Sequence, residues 1–194
     1  HSSYAHVSGN GRYIAFSSGS QLVPEDKDTV GDVYVKDLLT DQLERIDVTK
    51  DGKPATSGAL AGAITPDGRY VVFASKASNL VAGATGAKSQ VFVRDRKTKT
   101  TELVSVSSTE VVGNGNSPVD FDVRLDISDD GRYVAFGSLA SNLGPDADTV
   151  ADIFVRDRQA GTTSLVSVST GGASTTAASL HPTMSANGRY IAFD

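Results

Sequence analysis

One nine-residue phrase occurs four times in the chain, as SGNGRYIAF, TPDGRYVVF, SDDGRYVAF and SANGRYIAF, with its glycines at Gly11, Gly68, Gly131 and Gly188. The intervals of 57, 63 and 57 residues each hold one four-stranded unit, and self-similarity at a near-fixed period marks a repeat architecture. The repeat constrains the fold far more than the function, which has to be read from sites mounted on it.

Each unit reads as four strands. The first precedes the glycine turn, at Tyr4 to Ser8, Gly62 to Thr65, Arg124 to Ser128 and His181 to Ser185. Asn-Gly and Asp-Gly pairs are strong hairpin signals because both residues tolerate the positive φ of a two-residue primed turn. The second strand therefore folds back, as Arg12 to Ser17, Arg69 to Ser75, Arg132 to Ser138 and Arg189 to Asp194. After a longer loop, β-branched and aromatic runs give a third strand at Asp32 to Asp37, Gln90 to Asp95 and Asp152 to Asp157. A polar turn leads to the fourth, Leu43 to Val48, Glu102 to Val106 and Ser164 to Val168. Ser/Gly/Thr/Asn-rich linkers return the chain to the next unit, and the longest, Ser107 to Asp122, is the most individual surface.

Consecutive four-stranded antiparallel sheets with short strands are the sequence form of a β-propeller. The phrase, followed by an Asn-Leu and Asp-rich loop and then by Asp-Val/Ile-Phe/Tyr-Val-Arg/Lys-Asp, resembles the TolB-like, PD40-type (WD40-like) propeller repeats of bacterial proteins over nearly the whole chain. The expected fold is all-β: three complete four-stranded blades, about 4–48, 62–106 and 124–168, and the first two strands of a fourth, about 181–194. The resemblance implies a six- or seven-bladed ring, of which three and a half blades are an open part. Two copies together bring six full blades, and their leftover halves are the same half, so neither completes the other.

Pairing Phe16 with Val33 in the first blade sets Ile14 opposite Val35, Arg12 opposite Asp37 and Tyr13 near Lys36. The same register gives Arg69 with Asp95 and Arg132 with Asp157, read as structural pairs worth up to about 1 kcal/mol each.

The sharpest chemical pattern lies in the loops before the third strands. Asp26, Asp28 and Asp32 in the first unit, and Asp146, Asp148 and Asp152 in the third, stand at positions one, three and seven of a short loop. Carboxylates so spaced suit Ca²⁺, which takes six to eight oxygen ligands. The spacing resembles the start of an EF-hand loop, but Val30 and Val150 hold the fifth position, and Asp37 and Asp157 lie roughly 16 Å along an extended strand from Asp32 and Asp152. The plainer reading is that these acids make side-chain-to-backbone turns and need no metal. The second unit, with Ala84, Gly86 and Gln90 in the same places, is a built-in control.

A net charge of −5 argues against nucleic acid or an anionic membrane as partner, which a clustered basic face would recognise. No apolar run approaches the roughly 18 residues of a membrane span. The chain has no cysteine, which removes disulfides, thiol catalysis and zinc–thiolate sites. His6 and His181 lie in first-strand segments without a nucleophile-elbow context, so no catalytic residue is expected. The expected function is a non-catalytic scaffold holding a protein or polymer partner on the loop and linker face, with a second copy of the chain as a further candidate partner. The alternative is the propeller of a larger hydrolase, since similar propellers accompany prolyl oligopeptidases. An extracytoplasmic location, periplasmic or secreted, follows from the resemblance, the calcium-like loops and the Ser/Thr/Gly-rich surface.

Overall fold

The computed structural model describes residues 2–118, 124–145, 150–172 and 177–194. Among them the only regular elements are β-strands, in three four-stranded sheets and one two-stranded sheet. The first sheet is β1 (Ser2–Val7), β2 (Tyr13–Ser18), β3 (Asp32–Asp37) and β4 (Leu43–Arg45). The second is β5 (Ala59–Ile64), β6 (Tyr70–Ser75), β7 (Gln90–Asp95) and β8 (Thr100–Leu103), and the third β9 (Leu125–Ile127), β10 (Tyr133–Ser138), β11 (Asp152–Asp157) and β12 (Thr162–Leu165). The last pair is β13 (Thr183–Met184) with β14 (Ile191–Ala192). Within each sheet sequence neighbours are spatial neighbours and run antiparallel, the meander of a propeller blade.

The blades stack through alternating faces. On β6, Val71 and Phe73 join a core with Ala15, Val33 and Val35 of the first blade. Val72 and Ala74 join another with Val134, Phe136 and Phe154 of the third. Because successive side chains point to opposite faces, a blade covered on both sides has to be apolar at every position, which is why β6 reads YVVFAS.

Two sequence expectations are corrected. The second and third strands pair one residue away from the expected register: Phe16 faces Tyr34, Tyr13 faces Asp37 and Ile14 faces Lys36. The aromatics decide this, because a one-residue slip would send them to opposite faces. As paired, Phe16–Tyr34, Phe73–Phe92 and Phe136–Phe154 lie on one face with ring centroids 5.9, 5.5 and 6.1 Å apart. Arg12 still reaches Asp37, with Nε and Nη2 donating to its two carboxylate oxygens at 2.9 and 2.7 Å. The same fork joins Arg69 to Asp95 and Arg132 to Asp157.

The turn is also different from the two-residue primed form. Gly11 N–H donates to Ser8 C=O at 2.8 Å and Ser8 N–H to Tyr13 C=O at 2.9 Å. Of the turn's Asn/Asp-Gly pair only the glycine has positive φ, +69° to +75° in the four copies. This is a turn closed by a left-handed glycine, one of the longer hairpin connections. The Asn or Asp side chain works as an acceptor: Asp130 Oδ1 takes the Ser128 hydroxyl at 2.6 Å and the Arg132 N–H at 2.9 Å. Ser128 Oγ in turn accepts the Tyr133 N–H at 2.9 Å. Each conspicuous residue of the repeated phrase thereby has a partner.

The tyrosine of the phrase joins blade to blade. Tyr13, Tyr70 and Tyr133 lie against Gly68, Gly131 and Gly188 of the following blade, where any Cβ would be driven into the ring. Arg96 and Arg158 cover Tyr13 and Tyr70 at 4.7 and 4.8 Å from the ring centroids. These arginines also bond Glu44 and Glu102 of the preceding blade at 2.9 and 3.0 Å.

Candidate functional site

The β2–β3 loop brings the three acids of the first unit together, with carboxylate oxygens of Asp26, Asp28 and Asp32 within 4.8 Å of one another. Side-chain-to-backbone turns fix part of this shape. Asp28 N–H donates to Asp26 Oδ1 at 3.3 Å and Val30 N–H to Asp28 Oδ1 at 2.9 Å. Asp26 and Asp32 are buried. The Tyr34 hydroxyl donates to Asp26 Oδ2 at 2.6 Å.

Two further members come from the fourth strand and the bend that follows it. Arg45 Nη2 donates to Asp32 Oδ1 at 2.5 Å and Asp47 Oδ2 at 3.1 Å, while Nη1 lies 3.7 Å from Asp26 Oδ1. The other Asp47 oxygen accepts the Val33 N–H at 3.0 Å, a bond that Ser105 and Ser167 make to Val91 and Ile153 in the other blades. The sequence signal for this pair was a departure from the repeat, since Leu103 and Leu165 stand where the first blade has Arg45. Burial, and then the neighbouring Asp47 carboxylate, push the Asp32 pKa up, and burial raises Asp47 as well. Three carboxylates, those of Asp26, Asp32 and Asp47, thus share one guanidinium.

In the control blade, Gln90 accepts from the Ser105 hydroxyl at 2.5 Å and donates to Gly113 C=O at 3.0 Å. Asp152 of the third blade accepts from Ser167 at 2.5 Å, and Asp146 and Asp148 lie outside the described residues.

On the same face, loops and linkers converge on a pocket of about 300 Å³ between blades, walled by Gly31, Ser57, Gly58, Lys76, Ser89 and Asn116. No family model and no curated protein matches the sequence. Solved structures do. One from Agrobacterium tumefaciens, described as TolB, aligns with 100% of this chain and 53% of its own, at TM-score 0.59 and 18% identity. TolB from Acinetobacter baumannii aligns at TM-score 0.55 and 18% identity over 96% of this chain and 36% of its own. The chain has a TolB-like β-propeller fold. It spans about a third to a half of those TolB structures. The tricorn protease matches at TM-score 0.57 and 14% identity, over 98% of this chain and 15% of that one.

In this TolB-like arc the first strands of the blades line a second cavity, of about 580 Å³, whose wall includes His6, Arg124, Asp126 and His181. His6 is held below its ordinary pKa by burial, which outweighs the opposing pull of Asp126. His181 Nδ1 lies 2.9 Å from Asp194 Oδ1. Asp126 Oδ2 accepts the Met184 N–H at 2.7 Å and so ties the fourth blade to the third. Among the described residues no helix is long and apolar enough to cross a membrane.

Proposed function

We propose that this chain is a non-catalytic propeller scaffold, extracytoplasmic, that binds a protein or polymer partner on its loop and linker face. The observation that carries the reading is the inter-blade pocket of about 300 Å³ on that face. Most of its walls are Gly, Ala and Ser, so an extended segment can lie against the backbone, and Lys76 is among the lining residues. Peptides selected from a random displayed library against this chain are expected to lose binding to Ser57→Trp and to keep it with Lys97→Glu on the opposite face. Peptides that bind Ser57→Trp undiminished would sink the proposal.

Calcium is the cation proposed for the first blade's loop. Its support is the close set of oxygens on Asp26, Asp28 and Asp32, and the surplus of carboxylates over the single guanidinium of Arg45. Arg45 neutralises the inner side, at Asp32, Asp47 and Asp26, which leaves Asp28 the carboxylate of the loop outside its reach. Calcium would brace the loop that borders the binding face. Added calcium is expected to raise the unfolding temperature of the unmodified chain but not that of Asp28→Asn, and equal curves with calcium and with chelator would refute it.

The second reading, propeller of a larger hydrolase, is favoured by the tricorn protease likeness, which is one of fold. A hydrolase segment adjoining these residues in the parent gene would replace the scaffold reading.

A further inference from the structure

The linkers that leave the first and second blades make the same small hairpin. Val48 bridges Pro54 in one and Val106 bridges Val112 in the other. Gly52 N–H donates to Thr49 C=O, and Glu110 N–H to Ser107 C=O, each at 3.0 Å. Gly52 and Glu110 therefore occupy equivalent positions, both left-handed, at φ +77° and +62°. Glycine is at home there, and glutamate is not.

Beneath each hairpin lies an arginine from the third strand of the following blade, Arg94 under one and Arg156 under the other. Both are almost fully buried, at 3% and 4% exposure. Their Nη1 groups do equivalent work. Arg94 donates to Thr101 Oγ1 at 3.0 Å and Thr49 C=O at 3.3 Å, and Arg156 to Thr163 Oγ1 at 3.3 Å and Ser107 C=O at 3.2 Å.

The two junctions then differ. Arg156 Nη2 is paired with the Glu110 carboxylate. Among the described residues every hydrogen bond of Arg94 runs from Nη1, so its Nη2 lacks the partner that Glu110 gives Arg156, while Nε is buried and unpaired in both. At the place of Glu110 stands Gly52, where a Cβ would meet nothing within 4 Å. The space is part of a pocket of about 290 Å³ whose wall includes Arg94, Gly52, Pro54, Lys99, Glu44 and Glu25. Glu44 is already engaged by Arg96 at 2.9 Å and Lys99 at 2.7 Å. Burying a cation without a directly paired counter-ion is unfavourable, and burial holds Arg94 below the ordinary arginine pKa against the opposing pull of Glu44 and Asp95.

We propose that Arg94 is the floor of an anion site that accepts an external carboxylate where the Glu110 carboxylate sits at the next junction. The free Nη2 of Arg94 can donate to a carboxylate oxygen as Arg156 Nη2 does to Glu110, a charge-assisted hydrogen bond, and Lys99, paired with Glu44, also lines the pocket. The ligand is a carboxylate group, borne by a small free acid or by an acidic side chain of a partner.

Thermal unfolding at constant ionic strength tests this, with acetate as one probe and an end-blocked glutamate tetrapeptide as the other. A saturable rise of a few degrees with acetate points to small acids, and a rise confined to the peptide points to a partner's side chain. Gly52→Glu supplies the missing carboxylate in cis. It is expected to melt above Gly52→Gln, which has the same shape and the same left-handed strain but no charge, and to abolish the response to both probes, which Gly52→Gln keeps. No saturable response in the unmodified chain, or an undiminished one in Gly52→Glu, overturns the site. So does a drop in stability for Glu25→Gln equal to the ligand-induced rise, since Glu25 would then be the counter-ion.

Discussion

The glycine of the repeated phrase answers two demands that can be separated experimentally. All four copies sit at left-handed φ, which costs other residues roughly 1–2 kcal/mol. Gly68, Gly131 and Gly188 also carry a tyrosine ring where a Cβ would be, whereas a Cβ on Gly11 would meet nothing within 4 Å. Gly11→Ala should therefore cost about 1 kcal/mol, and Gly68→Ala a further 1–3 kcal/mol or so for overpacking. Urea unfolding of dilute protein measures both, and equal losses would mean that the tyrosine contact carries no energy. The turn itself was legible in the sequence, because glycine after Asn or Asp signals positive φ. The packing role was not, because it joins residues 55 positions apart, Tyr13 and Gly68. Arg45 and Asp47 were equally hidden. They reach the acid loop across the sheet, and only their contrast with Leu103 and Ser105 distinguishes them.

Among the strands, the third of each blade lies where its β-branched and aromatic run predicted, from Asp32, Gln90 and Asp152. The fourth strands end sooner than their apolar runs suggest, because the chain bends after Arg45, Leu103 and Leu165. Beyond the first bend the Asp47 side chain, not a backbone carbonyl, takes the Val33 N–H. Alternation alone does not fix the register, since Phe against Val and Phe against Phe or Tyr satisfy it equally until the two faces of the blade are distinguished. The Arg–Asp pairs survive the slip because an arginine side chain spans the diagonal. Arg12 most strongly, with backbone N–H donors, holds Asp37 well below the usual carboxylate range. Burial opposes the same effect at Asp95, where Arg69 and the Lys97 and Thr98 N–H groups outweigh it. Arg132 first, with the Ala160 and Gln159 N–H groups, brings Asp157 down to about 2 despite burial. These folded values lie below the unfolded one near 4. The stabilisation is therefore complete above about pH 4 and is lost as pH falls through the folded values. Denaturant unfolding between pH 5 and pH 2 should show that loss. In Arg132→Gln the Asp157 contribution should be reduced to what the Ala160 and Gln159 N–H groups supply, so less stability is lost between pH 5 and pH 2, and a profile parallel to that of the unmodified chain would show that the fork does not set the pKa.

Across the whole molecule the tyrosine–glycine ladder has an open rung at each end. Tyr190 is 64% exposed, and the Gly11 turn has no ring over it. The position that holds Arg96 and Arg158 in the later blades is Leu38 in the first, 52% exposed beside Leu39. In the later blades the arginine there pairs with a glutamate from the preceding blade's fourth strand. Leucine needs no such partner and can pack on a tyrosine ring. The exposed Tyr190 ring and the uncovered Gly11 turn are the two halves of the contact already repeated inside the chain. Such a contact is heterologous, so copies joined by it either close into a ring or extend. Light scattering across a concentration series should show masses above the 20.2 kDa of one chain. Tyr190→Ala should suppress them by removing the ring, and Gly11→Ala by filling its seat. Because Gly11→Ala costs the isolated chain little, a fall in mass with that variant reports the junction and not unfolding. A single-chain mass at every concentration, or association untouched by both substitutions, would show that the open rungs do not meet.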